Sequence, residues 1–349
     1  MRAITVSPGL ADSARLDDVP EPPPADGAVL VRSLALGVCG TDREILSGAY
    51  GSAPPGEPRL VLGHESLGEV EDAPEDCGLA AGDLVVGIVR RPDPVPCVAC
   101  AAGEWDMCRN GRYTERGIKE RNGYGAERFR LEPDFAIKVD PTLGVLGVLL
   151  EPASILAKAW DHTERIGHRA RAWQPKCLLV TGAGPIGLLA ALMGAQRGLD
   201  VHVFDRNRGG PKEALVHDLG GSYHNDTATL TRLAPDIVME CTGSSAVIRD
   251  CLGATAAAGI VCLTGVSEPG RTVDLDIGRV NRTMVLENDT VFGVVNANRR
   301  HYEMAADALA RADRGWLARL ITRRVPLERW REALEHRRGD IKVIVDFVQ

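Results

Sequence analysis

At 349 residues the chain is too long for one ordinary core and suits two domains. Hydrophobic content of 44% and charged content of 26% are ordinary for a globular protein in water. A formal net charge of −7 excludes a general binder of nucleic acid or of an anionic membrane surface, since both need an excess of Lys and Arg.

The opening MRAITVSPGL lacks the apolar core of a secretory signal, and no window approaches the ~20 apolar residues of a membrane span. A cytoplasmic protein with no membrane partner is therefore expected. The cytosol keeps thiols reduced, so nine cysteines read as metal ligands or buried thiols rather than disulfides.

Residues 1 to 35 alternate apolar runs with a Pro-rich connector, Pro20 to Pro24, the pattern of strands in a small β domain. The second run, Ala28 to Leu36, delivers the chain to Gly37-Val38-Cys39-Gly40-Thr41-Asp42. A cysteine between glycines at a strand end suits a metal ligand or reactive thiol, although a lone one is more often structural. Leu60 to Glu65 then places His64 and Glu65 on another strand-to-turn junction. Cys, His and carboxylate together are a common zinc set in sites that leave one position open. Glu151, opening a helical pattern that runs to His168, is a third candidate; taken singly it reads as an acid facing a helix dipole.

Between these lies Cys97-x2-Cys100-x7-Cys108, a spacing that suits a structural metal knot. Three thiolates are one short of a closed tetrahedral site. Asp93, Asp106, Glu115 or a water could complete it, or the thiols could simply pack.

From Cys177 the pattern changes to apolar, branched runs separated by helical segments: Cys177–Val180, Val201–Phe204, Ile237–Glu240, Ile260–Thr264 and Val291–Val295, as a parallel sheet buried on both faces requires. The first run leads into Gly182, Gly184 and Gly187, a G-x-G-x-x-G that includes Pro185 and Ile186 and opens a helix. The first glycine allows the tight turn, the second lets a pyrophosphate approach the backbone, and the third lets helix and strand pack closely. The second run ends in Asp205, about 20 residues further on, where an acid accepts bonds from the adenosine ribose. The third ends at Cys241-Thr242-Gly243, where a cofactor would lie. Cys77, Cys177, Cys241, Cys251 and Cys262 read as structural thiols. After Asn296 comes a helical stretch, His301 to Ala312, and a final apolar run, Ile341 to Val345.

GVCGTD, GHE, the cysteine lobe, LEPAS, GAGPIG and VVNANRRH, in order along nearly the whole chain, resemble the zinc-containing medium-chain dehydrogenases, most closely their glucose 1-dehydrogenase branch. The resemblance implies an α/β architecture: a GroES-like β-rich catalytic domain (residues 1–168 and 296–349) and a Rossmann doubly wound parallel-sheet nucleotide-binding domain (residues 169–295). It implies a catalytic zinc on Cys39 and His64, with Glu65 and Glu151 as carboxylate partners, and a second, structural zinc in the lobe. There the family has four cysteines and this chain has Pro94 where the first would fall. Thr41 matches the hydroxyl that passes the substrate proton outward, and Glu115 and Asn296 match positions that contact sugar hydroxyls.

The reaction so implied is zinc-dependent oxidation of an aldose, glucose at C1 first, with hydride passing to NAD or NADP. Asp205 favours NAD modestly, while Arg206 and Arg208 beside it could clamp a 2′-phosphate. Thr242 and Asn296 are further cofactor-side candidates. The alternatives are the same chemistry on a polyol, secondary alcohol or sugar-like intermediate, and a non-catalytic dinucleotide-binding protein. By resemblance a homodimer or homotetramer is expected, with Val291–Val295 as an exposed sheet edge.

Overall fold

The computed structural model describes residues 1–267 and 270–348, and the backbone only of Thr231. The chain divides into two compact units, Met1–Ser154 with Asn296–Gln349, and Ile155–Val295. The break falls inside the helix Leu150–Gly167 rather than after residue 168.

The first unit is built around a long strand, Val29–Val38, whose sequence VLVRSLALGV alternates buried and half-buried residues before becoming fully buried at its end. It lies at the centre of a seven-stranded sheet ordered Ala136–Lys138, Leu84–Gly87, Glu65–Asp72, Val29–Val38, Lys342–Asp346, Ile321–Pro326, with Arg128–Leu131 also pairing on Val29–Val38. Lys342–Asp346 is buried throughout and runs antiparallel to Val29–Val38, pairing Val343 with Val38 and Ile344 with Gly37. On the other side of the central strand Gly37 pairs with Glu65. The turn into Cys39 is thus flanked by the two strands that carry Glu65 and Lys342.

A small sheet joins Arg90–Arg91, Thr114–Arg116 and Glu120–Arg121, setting Arg90 opposite Glu115. The cysteine lobe, residues 97–108, is the excursion between its first two strands. Val29, Val31, Leu36, Phe129, Val343 and Val345 belong to one buried apolar cluster.

The second unit is a six-stranded, all-parallel sheet ordered Ser222–His224, Asp200–Phe204, Cys177–Thr181, Ile237–Glu240, Ile260–Leu263, Thr290–Gly293. The order reverses at Cys177–Thr181, the topological switch point of a doubly wound fold. Ser222–His224 has no counterpart in the sequence reading because it is short, polar and half-buried. The edge strand is Thr290–Gly293, displaced slightly from the apolar run Val291–Val295. The helical stretch Pro141–Gly167 is long and apolar enough by composition to cross a membrane, contrary to the sequence reading; it is mostly buried within the protein and broken by non-helical geometry at Gly144.

Candidate active site

In the first unit Cys39 leaves the end of Val29–Val38 and stands as the cap residue of the short helix Gly40–Leu46. Its Sγ lies 3.1 Å from Nε2 of His64. Cys39, His64 and Glu65 each offer a ligand atom, and these atoms all lie within 4.8 Å of one another. Asp42 supports the group from beneath: its Oδ2 accepts from the Cys39 N–H at 2.9 Å, and its Oδ1 lies 3.5 Å from Nδ1 of His64. The imidazole therefore turns one nitrogen to the thiol and the other to a buried carboxylate, the arrangement that orients a ligating histidine. Burial opposes charge on His64, but Cys39 and Asp42 outweigh it and hold the imidazole well above its usual pKa.

Glu65 forms an ion pair with Lys342, and both side chains are buried. The ammonium also donates to the carbonyl of Val38 at 3.1 Å. A β-carbon at Gly37 would fall 2.0 Å from Oε2 of Glu65 and 2.9 Å from Cε of Lys342, so only glycine leaves room for that pair. Glu151, in the first turn of its helix, is outside the tight group. It is nevertheless electrostatically part of the site: burial pushes it up to about 7, with Glu65 adding to the effect and His64 and Lys342 opposing it. The half-buried Thr41 side chain makes no hydrogen bond among the described residues.

Elsewhere in this unit Oε1 of Glu115 accepts from Arg90 Nε at 3.1 Å, Arg90 Nη2 at 2.9 Å and Asn296 Nδ2 at 2.5 Å. Its Oε2 makes no hydrogen bond among the described residues. Arg90 also donates to the carbonyl of Asp106 at 3.1 Å and packs on the Tyr113 ring at 3.6 Å. Asn296 has a left-handed backbone, φ 60°, which Asn tolerates better than most residues. Two residues on, Asn298 caps the helix Arg299–Ala310 and donates to Oδ1 of Asp106 at 2.8 Å. Asp106 thus fastens the segment Asn296–Asn298 to the lobe.

In the lobe the three sulfurs of Cys97, Cys100 and Cys108 also lie within 4.8 Å of one another. The Arg109 N–H, 3.4 Å from Cys97 Sγ, heads the hydrogen bonds that bring that thiol down to about 6, while burial pushes Cys100 up to about 11. Asp93, Asp106 and Glu115 do not join this group. The Asp93 carboxylate is engaged by Asn110 Nδ2, Arg112 Nε and the Val95 N–H. Asp106 and Glu115 are held as described above.

In the second unit Gly184 caps the helix Pro185–Ala195, with Pro185 and Ile186 opening its first turn. A β-carbon on Gly187 would lie 1.7 Å from the carbonyl oxygen of Gly182, so the helix can sit this close only on glycine. Nothing lies within 4 Å of where a Gly184 β-carbon would stand. Asp205 is nearly buried, bonded to Ala183 N and to Asn207 N and Nδ2. Burial works against its charge, yet the Asn207 and Ala183 N–H groups hold it below the ordinary carboxylate range. Glu240, at the end of the next strand, accepts from Thr242 N at 2.8 Å and Gly243 N at 3.2 Å. Arg206 and Arg208 are exposed and make no ion pair among the described residues.

The chain as a whole is similar to known proteins. Residues 144–347 match the family model "Glucose dehydrogenase C-terminus", and residues 25–141 match "Alcohol dehydrogenase GroES-like domain". The chain is 43% identical to a glucose 1-dehydrogenase of Methanocella arvoryzae over 99% of both chains. It is 39% identical to glucose 1-dehydrogenase 2 of Vulcanisaeta moutnovskia over the whole of both. The chain belongs to the zinc-containing glucose dehydrogenase family. Among solved structures, glucose dehydrogenase from Haloferax mediterranei, in complex with NADP, Zn and gluconolactone, superposes with a TM-score of 0.91 at 32% identity, covering all of both chains.

Within this family member four supporting residues lie outside the sequence reading. Asp42 was visible only as part of GVCGTD, with nothing to show that its side chain turns back to His64. Lys342 carried a usable signal, a lysine inside the branched run Ile341 to Val345 that has to be buried. Arg90 and Glu240 carried none beyond their charge.

Proposed function

We propose that this chain catalyses the zinc-dependent, NAD(P)-linked oxidation of glucose at C1, giving gluconolactone. The observation that carries the reading is the convergence of Cys39, His64 and Glu65, with Glu151 close by, in a chain of this family. The donor set suits zinc, since thiolate, imidazole and carboxylate are its usual ligands and the buried acids of the site outnumber Lys342, its one buried lysine. Cys39, His64, Glu65 and Glu151 are the residues that would hold it. When bound there, the ion supplies Lewis acidity that eases loss of the proton from the anomeric hydroxyl.

The chain's own groups account for the rest. Asp42 keeps His64 oriented, and Lys342 neutralises Glu65 so that two carboxylates can share one buried site. The Thr41 hydroxyl, with no hydrogen bond among the described residues, would take the departing proton toward solvent. Arg90 holds Glu115, and Asn296 spends an amide hydrogen on the same oxygen, leaving Oε2 of Glu115 and the amide oxygen of Asn296 as acceptors. Such a pair selects ligands that donate, as sugar hydroxyls do. On the cofactor side, the open space at Gly184 and the N–H groups of the helix it caps suit a pyrophosphate. In the net reaction the C1–H bond yields a hydride to the nicotinamide and the hydroxyl yields a proton, so one NAD(P)H and one proton form per lactone.

Nine unpaired thiols suit a reducing, cytoplasmic setting. The half-buried strand Thr290–Gly293, at one edge of the parallel sheet, supports a homo-oligomer. The three-thiol lobe is one protein ligand short of a closed zinc site.

The test is NAD(P)+ reduction by the zinc-replete protein with glucose, galactose, xylose and sorbitol, with lactone identified as product. Glucose should head the series. Turnover of sorbitol alone would move the reading to polyols, and turnover of nothing would leave a dinucleotide-binding protein.

A further inference from the structure

Asp205 directly follows the strand Asp200–Phe204, the position where an acid is expected to accept both hydroxyls of an adenosine ribose. Its carboxylate is already spent. Oδ2 accepts from the Ala183 N–H at 2.9 Å and faces Lys212 Nζ at 3.6 Å. Oδ1 accepts from the Asn207 N–H at 2.9 Å and from Asn207 Nδ2 at 2.8 Å. A carboxylate offers about four lone-pair sites. Three hydrogen bonds take three of them, the Lys212 ammonium stands 3.6 Å from Oδ2, and the residue is 8% exposed. To receive two ribose hydroxyls it would have to give up at least one of these bonds, to Asn207 or to the Ala183 N–H of the glycine turn itself.

The strand on the other side of Cys177–Thr181 repeats the device. Glu240, fully buried at the end of Ile237–Glu240, spends its carboxylate on Thr242 N, Gly243 N and Thr181 Oγ1. Both strands pair directly with Cys177–Thr181, so a carboxylate on each side clamps a turn at the carboxyl end of the sheet. Around Asp205 the charge left over is positive: Lys212 answers Asp205, while Arg206 and Arg208 stand exposed without acidic partners among the described residues.

We infer that Asp205 is a positioning residue that braces the dinucleotide-binding turn, and that it does not read the 2′ position of the cofactor ribose. The inference rests on the dinucleotide reading above and reverses the modest preference for NAD that an acid at this position suggests in the sequence. A 2′-phosphate meets no free carboxylate here.

The two roles differ in the sign of one measurement. Kd values for NADPH and NADH are measured by fluorescence quenching on the full-length, zinc-replete protein and its Asp205→Ala and Asn207→Ala variants, with thermal melts alongside. A brace predicts that Asp205→Ala weakens both nucleotides together, by roughly tenfold each. Asn207→Ala, which changes no charge and removes one of the four contacts, should weaken both by a smaller common factor. A reader of the 2′ position predicts the opposite for one ligand: relieved of repulsion, Asp205→Ala would bind NADPH as tightly as wild type or more tightly while losing NADH, and that result overturns the inference. If Asp205→Ala melts before it can be titrated, a loss confined to NADH in Asn207→Ala overturns it equally. A wild-type protein that quenches with neither nucleotide overturns the dinucleotide reading itself, a result separate from a shifted preference.

Discussion

In the centre around Cys39 every candidate metal ligand and the lysine that balances them is a side chain, drawn from four segments of the first unit; in the glycine turn of the second unit nearly every contributing group is backbone from one segment. The first depends on charges that neutralise one another out of water, so its weak point is the removal of any partner. The second depends on room for the main chain, so its weak point is the addition of a single carbon. A site of buried ions and a site of bare backbone therefore fail in opposite ways within one polypeptide.

Four substitutions sharpen or break that contrast. His64→Ala should have the largest effect. Loss of a metal ligand forfeits several kcal/mol of stabilisation, on the order of a thousandfold or more in kcat/KM. Nucleotide titration should nevertheless give the wild-type Kd, and a His64→Ala protein with near-normal turnover would break the contrast at its root. Lys342→Met strands the buried Glu65. Breaking a buried pair costs ~3–5 kcal/mol, so the melting temperature should drop sharply, with zinc held about 10- to 100-fold less tightly by chelator competition.

Gly187→Ala forces a carbon against the Gly182 carbonyl. Overpacking of this kind costs ~1–3 kcal/mol, and here the loss should fall on NAD(P)H affinity while bound zinc stays at the wild-type level by atomic absorption. Equal loss of zinc would show that the two centres do not fail separately. Asn296→Ala should do least. It removes one hydrogen bond to Glu115 and one acceptor, so KM for glucose should rise about tenfold with kcat and the cofactor KM little changed, in line with ~1–1.5 kcal/mol for one such bond. A fall in kcat at unchanged KM would place Asn296 outside the sugar contacts.

Legibility followed the same division. The glycine turn, its strand and its helix are contiguous, and each glycine's reason is local, so GAGPIG announced both the fold and the ligand class. Cys39, His64 and Glu65 were legible as residue types at strand ends, but as one group only through the family resemblance, because adjacency depends on the register that sets Gly37 beside Glu65. Lys342 reaches that turn only because the last strand inserts beside the first long one, a pairing that no local pattern encodes. Asp205 shows the converse limit: its position in the fingerprint was clear, while the use of its carboxylate depended on which N–H groups the folded turn aimed at it.

Sequence alone determined the two-domain α/β plan, the dinucleotide turn and the types of ligand offered, because periodicity, glycine geometry and side-chain chemistry act over a few residues. Tertiary structure alone decided the partners of those groups. Glu65 meets Lys342, His64 meets Asp42, Glu115 meets Arg90, and Asp205 turns inward to Ala183. Burial makes each of those pairings mandatory, since a charge or N–H taken out of water needs a partner, and only the packed fold says which one is within reach.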